Sequence, residues 1–173
     1  ARLRPREEVP DLWLCPALLK KDRFDLVLEK ATELGVRRIQ PVLTRRCVAD
    51  RLNPDRARAT MVEAAEQCAR TALPELAAPA KLDALLRDWP DDRTLFFADE
   101  TGGEPAAAAF AASPGPAALL IGPEGGFDEA EREAVRALPQ SRAIGLGPRI
   151  LRGETAAIAA AAIWMATRGD WHN

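Results

Sequence analysis

Apolar residues recur at helical spacing between positions 21 and 34. Phe24, Val27, Leu28, Ala31 and Leu34 share one face, and Gly35 follows as a stop. This predicts an amphipathic helix. Residues 38–44 read as a strand, with Pro41 arguing for an edge or a bulge. Asn53-Pro54 couples a capping side chain to a first-turn proline and opens a helix expected to reach about Thr71. A short helix is expected over 81–88. Apolar runs at 94–98 and 117–121 read as buried strands. Between them lie an alanine-rich helix at 105–112 and the turn cluster Ser113-Pro114-Gly115-Pro116. Asp128, with Glu131 three residues on, caps the next helix. A strand at 142–146 precedes a last helix, from Thr155 to near Arg168-Gly169. Strands alternate with helices, so the fold class is α/β with a largely parallel sheet. No internal repeat and no Gly/Ser linker divides the chain.

Length and composition narrow the picture. A chain of 173 residues, 47% hydrophobic and 29% charged, suits one globular domain. The longest apolar run, Ala156–Ala166, is about half of what a bilayer needs, so no membrane partner is expected. The first residues have no secretory apolar core and no initiator Met; we expect the numbering to begin inside a longer protein. Cys15, Cys47 and Cys68 are odd in number and lack a Cys-x-x-Cys spacing. That argues against a disulfide framework or a metal site and for packed thiols in a cytoplasmic protein. The single His, His172, lies next to the C-terminus, Tyr is absent, and Ser occurs only at 113 and 141. A Ser-His-Asp triad or Cys-His pair is thereby nearly excluded. Acid–base work falls to carboxylates, Lys, Arg, backbone groups or the substrate.

Charge is unevenly spread. Residues 1–72 carry a net +4 and residues 73–173 a net −6, with seven Arg between positions 37 and 58. A basic patch on an acidic chain is what a localised nucleic-acid contact looks like. An Arg-rich, Lys-poor composition can also produce such a patch without a partner.

Two glycine-rich loops each follow a strand and precede a helix, where open α/β sheets bind ligands. The first is Ile121-Gly122-Pro123-Glu124-Gly125-Gly126-Phe127. It has neither the dinucleotide spacing nor a phosphate-cradling Gly-Lys-Ser/Thr. Glu124 would repel phosphate and attract a cationic ligand, such as a sulfonium. The second is Leu146-Gly147-Pro148-Arg149-Ile150-Leu151-Arg152-Gly153-Glu154-Thr155-Ala156. Its Ile150 and Leu151 could form an adenine slot flanked by Arg152 and Glu154, or could simply be core plugs beside a surface pair.

Together these loops resemble the signatures of the ribosomal RNA small-subunit methyltransferase E family. Lys30-Ala31-Thr32-Glu33-Leu34-Gly35-Val36 and Glu66-Gln67-Cys68-Ala69-Arg70 resemble two upstream blocks of that family, in the same order. The resemblance spans about residues 20–165. It implies a SPOUT fold: a parallel sheet flanked by helices with a C-terminal trefoil knot, which residue patterns alone would never suggest. It also implies S-adenosyl-L-methionine as methyl donor, S-adenosyl-L-homocysteine as product, and methylation of N3 of a uridine in 16S rRNA of the small ribosomal subunit. A homodimer is implied too. Residues 1–14 would be the remnant of a linker or exit strand from an N-terminal PUA-like domain, and 15–173 the methyltransferase domain.

Position by position, the resemblance places Ile121, Gly122, Pro123, Gly125, Gly126, Ile144, Leu146, Gly147 and Leu151 at the cofactor. Glu124, Arg152 and Glu154 become the catalytic candidates. Arg152 would stabilise the uracil imidate, and Glu124 or Glu154 would take the N3 proton. Arg37, Arg38, Arg45, Arg46 and Arg70 are the expected phosphate contacts, and Phe127 is a candidate for base stacking. Three alternatives stay open at this point: a ribose 2′-O-methyltransferase of the same class, a non-catalytic RNA-binding domain, and an α/β enzyme using a nucleotide cofactor, which the absent phosphate motifs disfavour.

Overall fold

The structure, a computed structural model, describes residues 5–171. His172 and the first four residues of the expected 1–14 remnant lie outside the described residues. Seven parallel strands form the main sheet. They are β1 (Leu12–Pro16), β2 (Arg38–Ile39), β4 (Glu75–Leu76), β6 (Thr94–Ala98), β7 (Glu104–Pro105), β8 (Ala117–Ile121) and β9 (Ser141–Gly145). Their order is β4-β2-β1-β8-β6-β9-β7. A separate parallel pair joins β3 (Val42–Leu43) to β5 (Ala80–Lys81). The helices are α1 (Lys21–Leu34), α2 (Pro54–Cys68), α3 (Leu82–Arg87), α4 (Ala106–Ala111), α5 (Glu129–Ala137) and α6 (Gly153–Thr167).

Side chains alternate between two cores, as the two-residue period of a strand requires. Leu12 and Leu14 of β1, Phe96 of β6, and Ala117, Leu119 and Ile121 of β8 face α1, α2, α4 and α6. Cys15, Leu95, Phe97, Ala118 and Leu120 face α3 and α5 on the other side. Sandwiched strands need apolar residues on both faces, which is why β8 reads as an unbroken run. Phe96 and Phe110 meet edge to face at 4.8 Å in the first core. Burial pushes the Cys15 thiol up to about 12, so it packs as an inert apolar group. Among the described residues, no helix is long and apolar enough to cross a membrane.

Most expected elements appear within two or three residues of their expected bounds. Gly35 closes α1 in the left-handed region at φ 94°, and Asp128 forms a full capping box with Glu131. Asn53 accepts hydrogen bonds from the N–H groups of Asp55 and Arg56. Asn53→Ala is therefore expected to cost about 1 kcal/mol, measured as a lowered urea midpoint at unchanged slope. An unchanged midpoint would show that the cap contributes nothing.

Three expectations need correction. The single strand at 38–44 is two strands in different sheets. Pro41 has no N–H to continue the ladder, while its carbonyl accepts from Ala80 and starts the second pair. β2 is no edge, since β1 and β4 flank it. The boundary at 14/15 falls inside β1, whose residues 12–16 pair in full with β8 at the middle of the sheet. Leu12 and Leu14 are core residues of this domain.

Candidate ligand site

The carboxyl ends of β8, β6 and β9 lie side by side, so the three loops that follow them converge. They enclose a cavity of about 450 Å³. In the loop after β8, Gly126 sits at φ 72°, and a Cβ there would meet Glu100 Oε1 at 2.2 Å. Arg46, from the turn after β3, donates to Gly125 O at 2.9 Å and to Phe127 O at 3.3 Å. It pins this loop by its carbonyls. The loop after β9 leads into α6 through Gly153, whose missing Cβ lets the helix start lie against Leu19 and the Gly122 carbonyl. The two glycine loops touch there.

A third loop, residues 99–103 after β6, completes the wall. The sequence reading did not anticipate it, although Gly102-Gly103 after a buried strand was an available signal. Its anchor is Asp99, whose side chain is fully buried. Asp99 accepts from the Thr101 N–H at 2.9 Å and the Thr101 hydroxyl at 2.7 Å, and pairs with Arg136 at 2.5 Å and Arg132 at 3.4 Å. Burial pushes its carboxyl up, but the bonds from Thr101 and Arg136 outweigh that and hold it below the usual carboxylate range.

Of the expected cofactor residues, Ile121, Gly122, Pro123, Gly126, Ile144, Leu146, Gly147 and Leu151 line the cavity. Gly125 does not; its open side is packed by the Arg46 stem. Among the catalytic candidates Glu124 lines the wall, whereas Arg152 and Glu154 stand behind it. Arg152 is the exposed N-cap of α6 and its side chain makes no capping bond. Glu154 is buried, and its Oε2 has no hydrogen-bond partner. Arg23 of α1, which the sequence reading passed over, faces both carboxylates: Nη1 lies 3.5 Å from Glu124 Oε1, and Nε 3.9 Å from Glu154 Oε1. Phe127 is buried against Gly122 rather than open for stacking.

The five expected RNA arginines do not share one surface. Arg38 opens β2 and Arg37 immediately precedes it, at the amino end of the sheet; Arg38 is level with Ala118, roughly 10 Å of strand from the cavity end at Ile121. Arg37 donates to Val9 O, and Arg38 pairs with Glu75 and lies over the Trp13 ring. Arg70 is a correction: its guanidinium is buried, donates to Thr32 O and Val36 O at the end of α1, and pairs with Glu7. It ties the last turn of α1 to the residues that follow it and is 4% exposed, so no phosphate can reach it. Burial lowers its affinity for its proton, with Glu7 opposing. Arg45 and Arg46 do lie at the cavity end. Arg46 is committed to the loop, and Arg45, 69% exposed, pairs with Asp128. Among the described residues, no group of three or more His, Cys, Asp or Glu side chains is placed to hold a metal ion.

Comparison with known proteins bears on what such a cavity takes. The RNA methyltransferase domain family matches residues 6–165. Ribosomal RNA small subunit methyltransferase E of Rickettsia conorii is 32% identical over 154 residues, covering 87% of this chain and 62% of the relative. The protein of that name from Bacillus subtilis is 34% identical over 164 residues, covering 87% and 64%. The chain thus spans under two thirds of these curated relatives. Among solved structures, ribosomal RNA small subunit methyltransferase E from Neisseria gonorrhoeae, bound to S-adenosyl methionine, superposes with a TM-score of 0.84 at 30% identity, over 95% of this chain and 70% of that one. A Legionella pneumophila protein in complex with bound SAM gives 0.83 at 32% identity, over 97% and 71%.

Proposed function

Because the chain belongs to the ribosomal RNA small-subunit methyltransferase E family, we propose that it binds S-adenosylmethionine in the three-loop cavity and methylates N3 of a uridine in 16S rRNA. One observation carries this reading: both glycine-rich loops form the wall of a single cavity beyond the carboxyl ends of β8 and β9, the parallel strands on either side of β6. The residues fit the cofactor. Ile121, Ile144, Leu146 and Leu151 offer apolar surface for an adenine, and Gly102 and Gly147 leave open space on the wall where a Cβ would stand. Glu124 sets a carboxylate on the wall, suited to a cationic ligand.

When bound, S-adenosylmethionine would supply an activated methyl group, with S-adenosylhomocysteine as the product. The chain's own residues do the rest. A carboxylate, Glu124 or Glu154, accepts the uridine N3 proton. Arg152, exposed and free of ion pairs among the described residues, balances the charge that develops on the uracil oxygens. Arg45 contacts an RNA phosphate beside the cavity. The segment from β9 through α6 packs back on β8, α1 and α4, and we assign it the trefoil knot. Ile158, Ala159, Ala162 and Ile163 are half-buried and Ala166 is exposed on α6, an apolar face for a second copy. The small ribosomal subunit as substrate places the work in the cytoplasm.

Calorimetric titration with S-adenosylmethionine, with ATP and NAD as controls, tests the cofactor. Selective binding at roughly micromolar strength (about −8 kcal/mol) is expected. Equal or absent binding by the folded chain would overturn the reading. Alkaline hydrolysis of the methylated RNA then separates base from ribose methylation, since only the latter protects a phosphodiester. Arg46→Ala is expected to weaken cofactor affinity about tenfold, because the Gly125 and Phe127 carbonyls lose their donor. If Arg46 instead served RNA alone, calorimetry would show no change.

A further inference from the structure

Arg23 is oddly placed for a cation. It lies in the first turn of α1, where the helix dipole disfavours positive charge. What holds it there is a carboxylate on either side, each from a different element. Glu154, in the first turn of α6, has a side chain only 11% exposed, and Arg23 is its single ion-pair partner among the described residues. Glu124 has a side chain 25% exposed on the cavity wall, and Arg23 is again its single ion-pair partner among the described residues. The buried carboxylate thus anchors the guanidinium, and the guanidinium in turn fixes the carboxylate that faces the ligand. Two carboxylates brought this close repel unless a cation stands between them.

We propose that Arg23 is a positioning residue for methyl transfer: anchored by Glu154, it holds the Glu124 carboxylate aimed into the cavity. Glu154 is then an anchor rather than a group that touches the substrate. The proposal rests on the methyltransferase reading for its kinetic consequence but not for its structural one. Other charges on the flanking elements are Lys20, Lys21 and Asp22 around the start of α1, and Arg149 and Arg152 before α6. None pairs with Glu124 or Glu154 among the described residues. Arg46, on the far flank of the glycine loop, is taken up by the carbonyls of Gly125 and Phe127.

The experiment has two arms. Single-turnover methyl transfer to small ribosomal subunits lacking the methyl group is measured at saturating S-adenosylmethionine. Arg23→Gln is expected to lose roughly 10- to 100-fold, since small misplacements of a reacting group cost that much. Arg23→Lys should recover part of the loss. In a Glu124→Gln background the same Arg23→Gln change should cost almost nothing further, because the two act as one unit. A full additional loss in that background, or full activity of Arg23→Gln alone, overturns the proposal. The second arm needs no turnover: crystal structures of the wild-type chain and the Arg23 variants locate the Glu124 carboxylate. Loss of its single ion-pair partner among the described residues should move that carboxylate off its place on the cavity wall in Arg23→Gln and leave it in place in Arg23→Lys. An unmoved carboxylate in Arg23→Gln overturns the positioning role even if the wild-type chain transfers no methyl group, an outcome that would count against the methyltransferase reading instead.

Discussion

Asp99→Asn is expected to lower folding stability by about 3 kcal/mol at neutral pH. The side chain is fully buried, and two arginines are arranged around it. Removing one partner of a buried ion pair leaves an uncompensated charge, which typically costs about 3–5 kcal/mol. The low end applies because Arg132 keeps Glu129 at 3.1 Å and Arg136 is half exposed. The pH dependence follows from the direction of the shift. The folded carboxyl titrates below its unfolded value of 3.8. Its stabilisation is therefore complete above that value and is lost as pH falls through the folded one. Urea unfolding of both proteins should show a gap that is full at pH 7 and narrows below about pH 4. A gap under about 1 kcal/mol at pH 7, or one that persists unchanged in acid, would show that Thr101 and not charge holds the loop. Because Asp99 anchors the third wall of the cavity, cofactor affinity should fall with stability.

Arg152→Ala carries the largest expected effect on catalysis. Methyl transfer should drop about 10²- to 10³-fold, the size associated with losing one donor to a developing anion, about 2.7–4 kcal/mol. Cofactor affinity should stay within about twofold. The structural reason for the split is position: Arg152 stands outside the cavity wall, exposed, with no capping bond to lose from α6. Single-turnover rates at saturating cofactor, beside calorimetry, separate the two quantities. Full activity in this variant would remove Arg152 from the mechanism; a parallel loss of affinity would place it at the cofactor instead.

Features that depend on neighbours in the chain were readable before any coordinates. The Asn53 and Asp128 caps, the Gly35 stop, the helical face of Phe24 to Leu34 and the five apolar residues of β8 are each set by contacts within a turn or by burial on both faces. The two glycine loops could be placed for the same reason, since each joins a strand to a helix. Local pattern failed where elements exist only through pairing. β4, β5 and β7 are two residues long, too short for any period to show, and β1 is bounded by Pro10 and Pro16 in a stretch that looked like a tail. Whether Pro41 bends one strand or separates two depended on Ala80, far along the chain, being there to meet its carbonyl.

The site divides along the same line. Its lining residues follow from the loops themselves, but the meaning of each charge does not. Arg37, Arg45, Arg46 and Arg70 are alike in a string of letters. The fold puts the first just before β2, at the amino end of the strands, and leaves the second exposed beside Asp128. It sets the third on two loop carbonyls and buries the fourth at the end of α1. Likewise Arg23 meets Glu124 and Glu154 only because α1, the loop after β8 and the start of α6 converge across more than a hundred residues of chain. Hydrophobic period and capping act within a few residues and can be read along the chain; ion pairs act through space, and only the packed sheet decides which charges are neighbours.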